Sequence, residues 1–162
     1  MNRWVALVLF LAACFAVAGV AGWLTRAAVL TWYPTIAKPS WNPPNAAFAP
    51  VWTTLYILMA IAGWLVWLQP PGPARSRALL IFFVQLALNF AWSPLFFRFH
   101  QIGAAAAEIV LLWCAIGAFI LFAWNVSRAA AWLFLPYLAW VSFAAFLNWT
   151  IWTLNRGRGA GS

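Results

Sequence analysis

Residues 102–125 read IGAAAAEIVLLWCAIGAFILFAWN, a run with one charged side chain, Glu108. A helix needs about 20 mostly apolar residues to cross the hydrocarbon layer of a bilayer. This stretch meets that length with no polar alternation of the kind a lipid-facing strand shows. Working outward, four more runs of the same kind appear at residues 4–24, 46–68, 78–99 and 129–154. Prolines and glycines fall between them, most densely in Gln69-Pro70-Pro71-Gly72-Pro73. The expected fold class is therefore an all-α membrane protein, a bundle of five transmembrane helices, with no internal repeat of the type that builds inverted-repeat transporters.

Composition excludes the alternatives. Hydrophobic residues make up 67% of the 162 and charged residues 6%, against about 45–50% and 25% in soluble domains. Mean hydropathy is +0.92. So few charges leave too little polar surface to solvate a fold of this size in water. The first run, preceded by Met-Asn-Arg, resembles a signal peptide at its edges, but its apolar core exceeds the roughly 7–15 residues of a signal h-region. It is read as a retained helix. The chain is thus expected to be a multi-pass integral membrane protein in contact with membrane lipid.

The formal charge is +8, from nine cations and one acid. In a soluble protein that balance points to nucleic acid; here the cations stand singly between apolar runs, as headgroup anchors do, and no nucleic-acid partner is expected. Arg3, Arg75, Arg77 and Arg128 fall on one side of the five spans and Arg26, Lys38, Arg98, Arg156 and Arg158 on the other, so charge bias assigns no orientation. Cys14 and Cys114 lie inside apolar runs without metal-ligand spacing, and no metal is expected. His100, in the turn between the third and fourth runs, is read as a solvated interfacial residue in preference to a haem ligand.

The longest connection, residues 25–45, holds Thr31-Trp32-Tyr33-Pro34 and Lys38-Pro39-Ser40-Trp41-Asn42-Pro43-Pro44. Prolines restrict themselves and the residue before them, so this segment is expected to form a semi-rigid aromatic lid. Beneath it, three helices bring polar and aromatic side chains to similar depths. Gln85, Asn89 and Ser93 recur every four residues on one helix face, extended by Trp92 and Phe96. Such amides often bond helix to helix, and they also line ligand sites. At a rise of 1.5 Å per residue, Trp52 and Asn148 lie about 9 Å below the lid and Trp92 about 10 Å. On the same reckoning Tyr56, Asn89 and Ala144 lie at about 15 Å and Trp140 at about 21 Å. Ala144 and Ala145 leave room there. A pocket for a flat apolar ligand is expected, with Arg26, Lys38 and Arg98 as rim charges for anionic groups. Glu108, inside the fourth span, is expected to snorkel to the interface, to pair with Arg98 or Lys38, or to serve as a proton site. Small residues at Ala12, Ala16 and Gly19, or at Gly103 and Ala107, favour close packing and dimer formation.

Several of these segments resemble one known family. Trp32-Tyr33, Lys38-Pro39-Ser40-Trp41-Asn42-Pro43-Pro44, Val51-Trp52-Thr53-Thr54-Leu55-Tyr56, Gln85 to Asn89 with Trp92-Ser93-Pro94-Leu95-Phe96-Phe97, and Pro136-Tyr137-Leu138-Ala139-Trp140 are similar to the TspO/MBR family (tryptophan-rich sensory protein; translocator protein or peripheral benzodiazepine receptor). The resemblance covers all five spans and implies a single transmembrane domain over residues 1–162, often a homodimer. It implies binding of tetrapyrroles (protoporphyrin IX or haem type), and in some members of sterols and benzodiazepine-type ligands, with no obligatory cofactor. The expected ligand site comprises Trp32, Tyr33, Trp41, Pro44, Trp52, Tyr56, Gln85, Asn89, Trp92, Phe96, Tyr137, Trp140, Ala144 and Asn148, of which the resemblance itself puts Tyr56, Asn89 and Ala144 at pocket-lining positions. Trp52 and Trp140 match the two tryptophans tied to porphyrin breakdown in bacterial relatives, which makes light- and oxygen-dependent degradation the alternative reading; a structural partner subunit is the second. Glu108 takes a place usually held by Asp. Residues 147–152 lack the Tyr of the family's cholesterol motif, a departure that weighs against sterol binding there. Eight arginines against one lysine fit a GC-rich bacterium, hence a bacterial cell membrane.

Overall fold

The computed structural model describes residues 2–157. Its helices are α1 (Arg3–Thr31), α2 (Asn45–Trp67), α3 (Pro73–Ser93), α4 (Ile102–Trp124) and α5 (Arg128–Asn155), with a π turn over Pro94–Arg98 continuing α3. All five are long and apolar enough to cross a membrane. Helix starts follow local chemistry. The Asn2 side chain accepts from the Trp4 amide at 2.9 Å, Ser127 caps α5, and Pro73 opens α3 where its missing N–H removes nothing.

Two boundaries differ from the sequence expectation. The lid begins after Thr31, not at residue 25, because no proline intervenes before Pro34 and the polar groups at the end of α1 are satisfied within the helix. Thr25 Oγ1 donates to the Ala21 carbonyl at 2.8 Å and Thr31 Oγ1 to Ala27 at 2.9 Å. Likewise α3 starts at Pro73, so Arg75 and Arg77 lie in its first turns and not in a loop.

Around the bundle the order is α1, α2, α5, α4, α3, with α3 returning to α1 and also touching α2 across the middle. At the end away from the lid the interior is solid. Phe10, Phe82, Phe119 and Phe134 interlock there, the last two with ring centroids 4.0 Å apart. Gly63 makes this possible, since a Cβ there would stand 2.8 Å from both the Phe10 and Phe82 rings. Lipid-tail solvent gives no hydrophobic drive between helices, so such close packing is what holds them. Large apolar side chains such as Trp23, Val8 and Leu121 point outward, where they meet acyl chains.

Toward the lid a second cluster forms from Tyr33, Phe96, Ala105, Leu147 and Ile151. Pro94 creates it. Having no N–H for the Phe90 carbonyl, it lets the chain widen to a π turn, closed by the Phe99 amide on Pro94 O at 2.9 Å, and Phe96 swings inward. His100 then adopts φ 55°, and its ring stacks on Trp32 at 4.1 Å. Gly103 gives close packing within the chain: it receives the Trp152 indole, whose Nε1 would lie 2.7 Å from a Cβ.

Candidate functional site

Between the two clusters, under the lid, lies a cavity of about 680 Å³. Its floor is a hydrogen-bonded chain across three helices. Tyr56 on α2 donates its hydroxyl to Asn89 Oδ1 at 2.6 Å, and Asn89 Nδ2 donates to the Tyr137 hydroxyl of α5 at 2.8 Å. Above this floor Trp52 from α2 tilts over Tyr56 with ring centroids 5.7 Å apart. Trp92 forms another wall, held by its indole N–H on Asn148 Oδ1 at 3.0 Å, while Asn148 Nδ2 donates to the Ile102 carbonyl at 3.0 Å. Trp140, Ala144 and Phe96 complete the lining expected from sequence, with Tyr33 above them. Asn89 is satisfied by the two tyrosine hydroxyls and Asn148 by the Trp92 indole and the Ile102 carbonyl, which fixes the aromatic walls.

The lid is pinned rather than draped. Asn155, the last residue of α5, accepts from the Ala37 amide at 3.0 Å and donates to the Ala37 carbonyl at 2.9 Å. Within the lid, the Tyr33 hydroxyl donates to Asn42 Oδ1 at 3.0 Å. Burial pushes the Tyr33 phenol above its ordinary pKa, and the bond to Asn42 offsets part of that. Lys38 turns its ammonium onto the Tyr33 and Ile36 carbonyls and over the Tyr33 ring.

Several residues named from sequence stand off the cavity. Trp32 leaves it to stack on His100, and Trp41 stacks on Phe146 at the outer side of α5, centroids 5.2 Å apart. Pro44 only caps α2. Tyr137 supports the floor from below, fully buried. Gln85 lies one helical turn deeper than Asn89, beneath the floor, its amide without a hydrogen-bond partner among the described residues. Of the three rim charges, Arg26 lines the cavity; Lys38 is occupied by lid carbonyls and Arg98 is exposed at the end of the π turn. The expected ion pair of Glu108 is not formed, both carboxylate oxygens lacking partners among the described residues. Lys38 spends its ammonium on the lid carbonyls instead.

Depth along α5 is also displaced. The Trp140 ring meets Phe48, near the start of α2, at 6.0 Å, whereas counting down from residue 154 sets it deeper than Trp52. The reason is that α5 overshoots α2 to reach the lid at Asn155.

Apart from Arg26, the wall that α1 contributes was absent from the sequence reading. Phe15, Ala18, Gly19, Gly22 and Arg26 of α1 face the cavity at helical spacing. Gly19 and Gly22 have nothing within 4 Å of a Cβ, so they shape open space and not a tight contact. The spacing of small residues was the available signal.

Five membrane-crossing helices around an aromatic-lined internal cavity define a multi-pass membrane protein of the receptor or transporter type. The TspO/MBR family model matches residues 10–153. The chain is 42% identical to the translocator protein of Sus scrofa, over 82% of this chain and 79% of that one. It is 39% identical to protein CrtK of Rhodobacter capsulatus over 78% and 79%, and 40% identical to the tryptophan-rich protein TspO of Chlorobaculum tepidum over 96% and 99%. The chain belongs to the TspO/MBR family.

Proposed function

We propose that the cavity beneath the lid binds a tetrapyrrole of the protoporphyrin IX type and that the protein acts as a receptor or carrier for it in a bacterial cell membrane. The observation that supports this most is the cavity itself. At about 680 Å³ it falls within the range of roughly 300–1,000 Å³ usual for small-molecule sites. Indole and phenol faces offer stacking surface, and Tyr56, Asn89 and Asn148 supply sparse polar edges. Arg26 is the cation placed to meet a carboxylate at the mouth. Titration of the purified protein with protoporphyrin IX is expected to quench tryptophan fluorescence with saturation in the micromolar range. Arg26→Gln is expected to weaken binding roughly 2- to 10-fold, as for one partly exposed ion pair, and to leave binding of the dimethyl ester unchanged. Absence of quenching by micromolar ligand removes the basis of the reading.

A second reading is favoured by one arrangement: Trp52 and Trp140 line the same cavity from α2 and α5. A porphyrin held between two indoles, with light and dioxygen as oxidant, is placed for oxidative breakdown; the ligand supplies the photochemistry. Illumination of the aerobic complex is expected to bleach the porphyrin band, and the double variant Trp52→Phe, Trp140→Phe is expected to slow bleaching at least tenfold. Bleaching at the parent rate in that variant excludes a role for the indoles.

A further inference from the structure

A separate groove of about 590 Å³ runs along the outside of the bundle between α2 and α5, lined by Pro50, Val51, Thr54 and Leu58 on one side and Pro136, Ala139 and Phe143 on the other. It faces the acyl chains. Trp140 borders this groove and the internal cavity alike. Its ring stands between Phe48 on the cavity side, 6.0 Å away edge-on, and Phe143 on the groove side, 5.5 Å away. One indole is therefore the shared wall of two voids.

Three features make that wall movable. The Trp140 indole N–H has no hydrogen-bond partner among the described residues, so turning the ring breaks no polar contact. Pro50 and Pro136 each remove a backbone hydrogen bond beside the groove, so both helices spread there at lower cost than regular helix. Ala139 and Ala144, flanking Trp140 on α5, leave room for the ring to swing. The groove itself presents no free hydroxyl, because Thr54 Oγ1 is bonded to the Pro50 carbonyl at 2.9 Å. The lid, by contrast, is clasped at Asn155 and stiffened by proline.

We propose that Trp140 is a side gate through which a flat apolar molecule dissolved in the bilayer passes between α2 and α5 into the internal cavity. This rests on the reading of the cavity as a ligand site. The passage sets rates, not affinity: narrowing the groove slows loading and release together and leaves the bound state as it was.

The test uses full-length protein in phosphatidylcholine vesicles, mixed in a stopped-flow instrument with vesicles carrying protoporphyrin IX, with tryptophan quenching as the readout. Ala139→Phe and Thr54→Phe fill the groove from opposite walls, so misfolding of one leaves the other informative; thermal midpoints identify a misfolded variant. Each is expected to slow association and dissociation at least tenfold with Kd within twofold of the parent. Asn155→Ala, which releases the lid, is expected to leave both rates unchanged. Parent-like rates in the groove variants, or several-fold faster loading in Asn155→Ala, overturn the gate and route the ligand under the lid, with the cavity reading intact. A parent protein that shows no quenching at all sinks the cavity reading and the gate with it.

Discussion

Asn89→Leu is expected to lower the thermal unfolding midpoint in detergent by about 4–8 °C and to weaken protoporphyrin binding about tenfold. From α3, Asn89 joins α2 and α5 at the cavity floor, accepting from Tyr56 at 2.6 Å and donating to Tyr137 at 2.8 Å. Leucine keeps the volume and removes both bonds, stranding the Tyr56 hydroxyl hydrogen and one acceptor of Tyr137. A buried group left unpaired costs about 1–3 kcal/mol, whereas hydrogen bonds between membrane helices average nearer 0.6 kcal/mol. Two bonds between those limits give about 2 kcal/mol, and a chain of this size shifts by roughly 2–4 °C per kcal/mol. The affinity loss follows because the floor that orients Tyr56 and Trp52 is no longer fixed. Tyr56→Phe, which removes one bond, is expected to lose about half as much stability. A melting curve of Asn89→Leu within a degree of the parent contradicts the role given to the chain.

The other large effect is steric. At Gly63 an added Cβ stands 2.8 Å from two carbons of Phe10 and one of Phe82, rings that pack edge to face 5.4 Å apart where α1, α2 and α3 meet. Neither ring has space to retreat, for Phe82 is fully buried and Phe10 nearly so. Gly63→Ala gains about 1 kcal/mol of helix preference against roughly 1–3 kcal/mol of overpacking, a modest net loss. Gly63→Leu has no such offset, and its yield of folded, monodisperse protein is expected to collapse. Gly117→Ala is the comparison, because nothing lies within 4 Å of a Cβ there; it is expected to be neutral or slightly stabilising. Normal folding of Gly63→Leu by size-exclusion profile and melting shows that the interlocked rings are not what holds this end together.

The five spans and the lid were legible because each depends on a run of adjacent residues: twenty apolar positions make a span wherever they occur, and closely spaced prolines stiffen a loop whatever packs below. Asn89 and Asn148 stood out as polar positions inside spans, since an amide there has few uses, and both bond helix to helix. What escaped depended on relative placement. Gln85 shares a helix face with Asn89, but the floor passes between them, and only the facing tyrosines determine where. Thr25 and Arg26 look like loop residues until the Thr25 hydroxyl is seen to bond back to Ala21. Asn155 is an ordinary polar residue at a helix end, and its partner Ala37 is 118 positions away. Lys38 and Arg98 have the charge for a rim, but charge alone does not say which way a long side chain turns.

That distance between Asn155 and Ala37 bears on how the protein is made. On a ribosome feeding a translocation channel, α1, the cap and α2 leave the tunnel long before α5 is synthesised, and α5 is also the lateral neighbour of α2. Until that last segment is released sideways into lipid, the cap has nothing to fasten to and the chamber lacks a side. A half-built bundle is therefore an obligatory stage of biogenesis, and the chamber gains its last wall only after α5 has emerged.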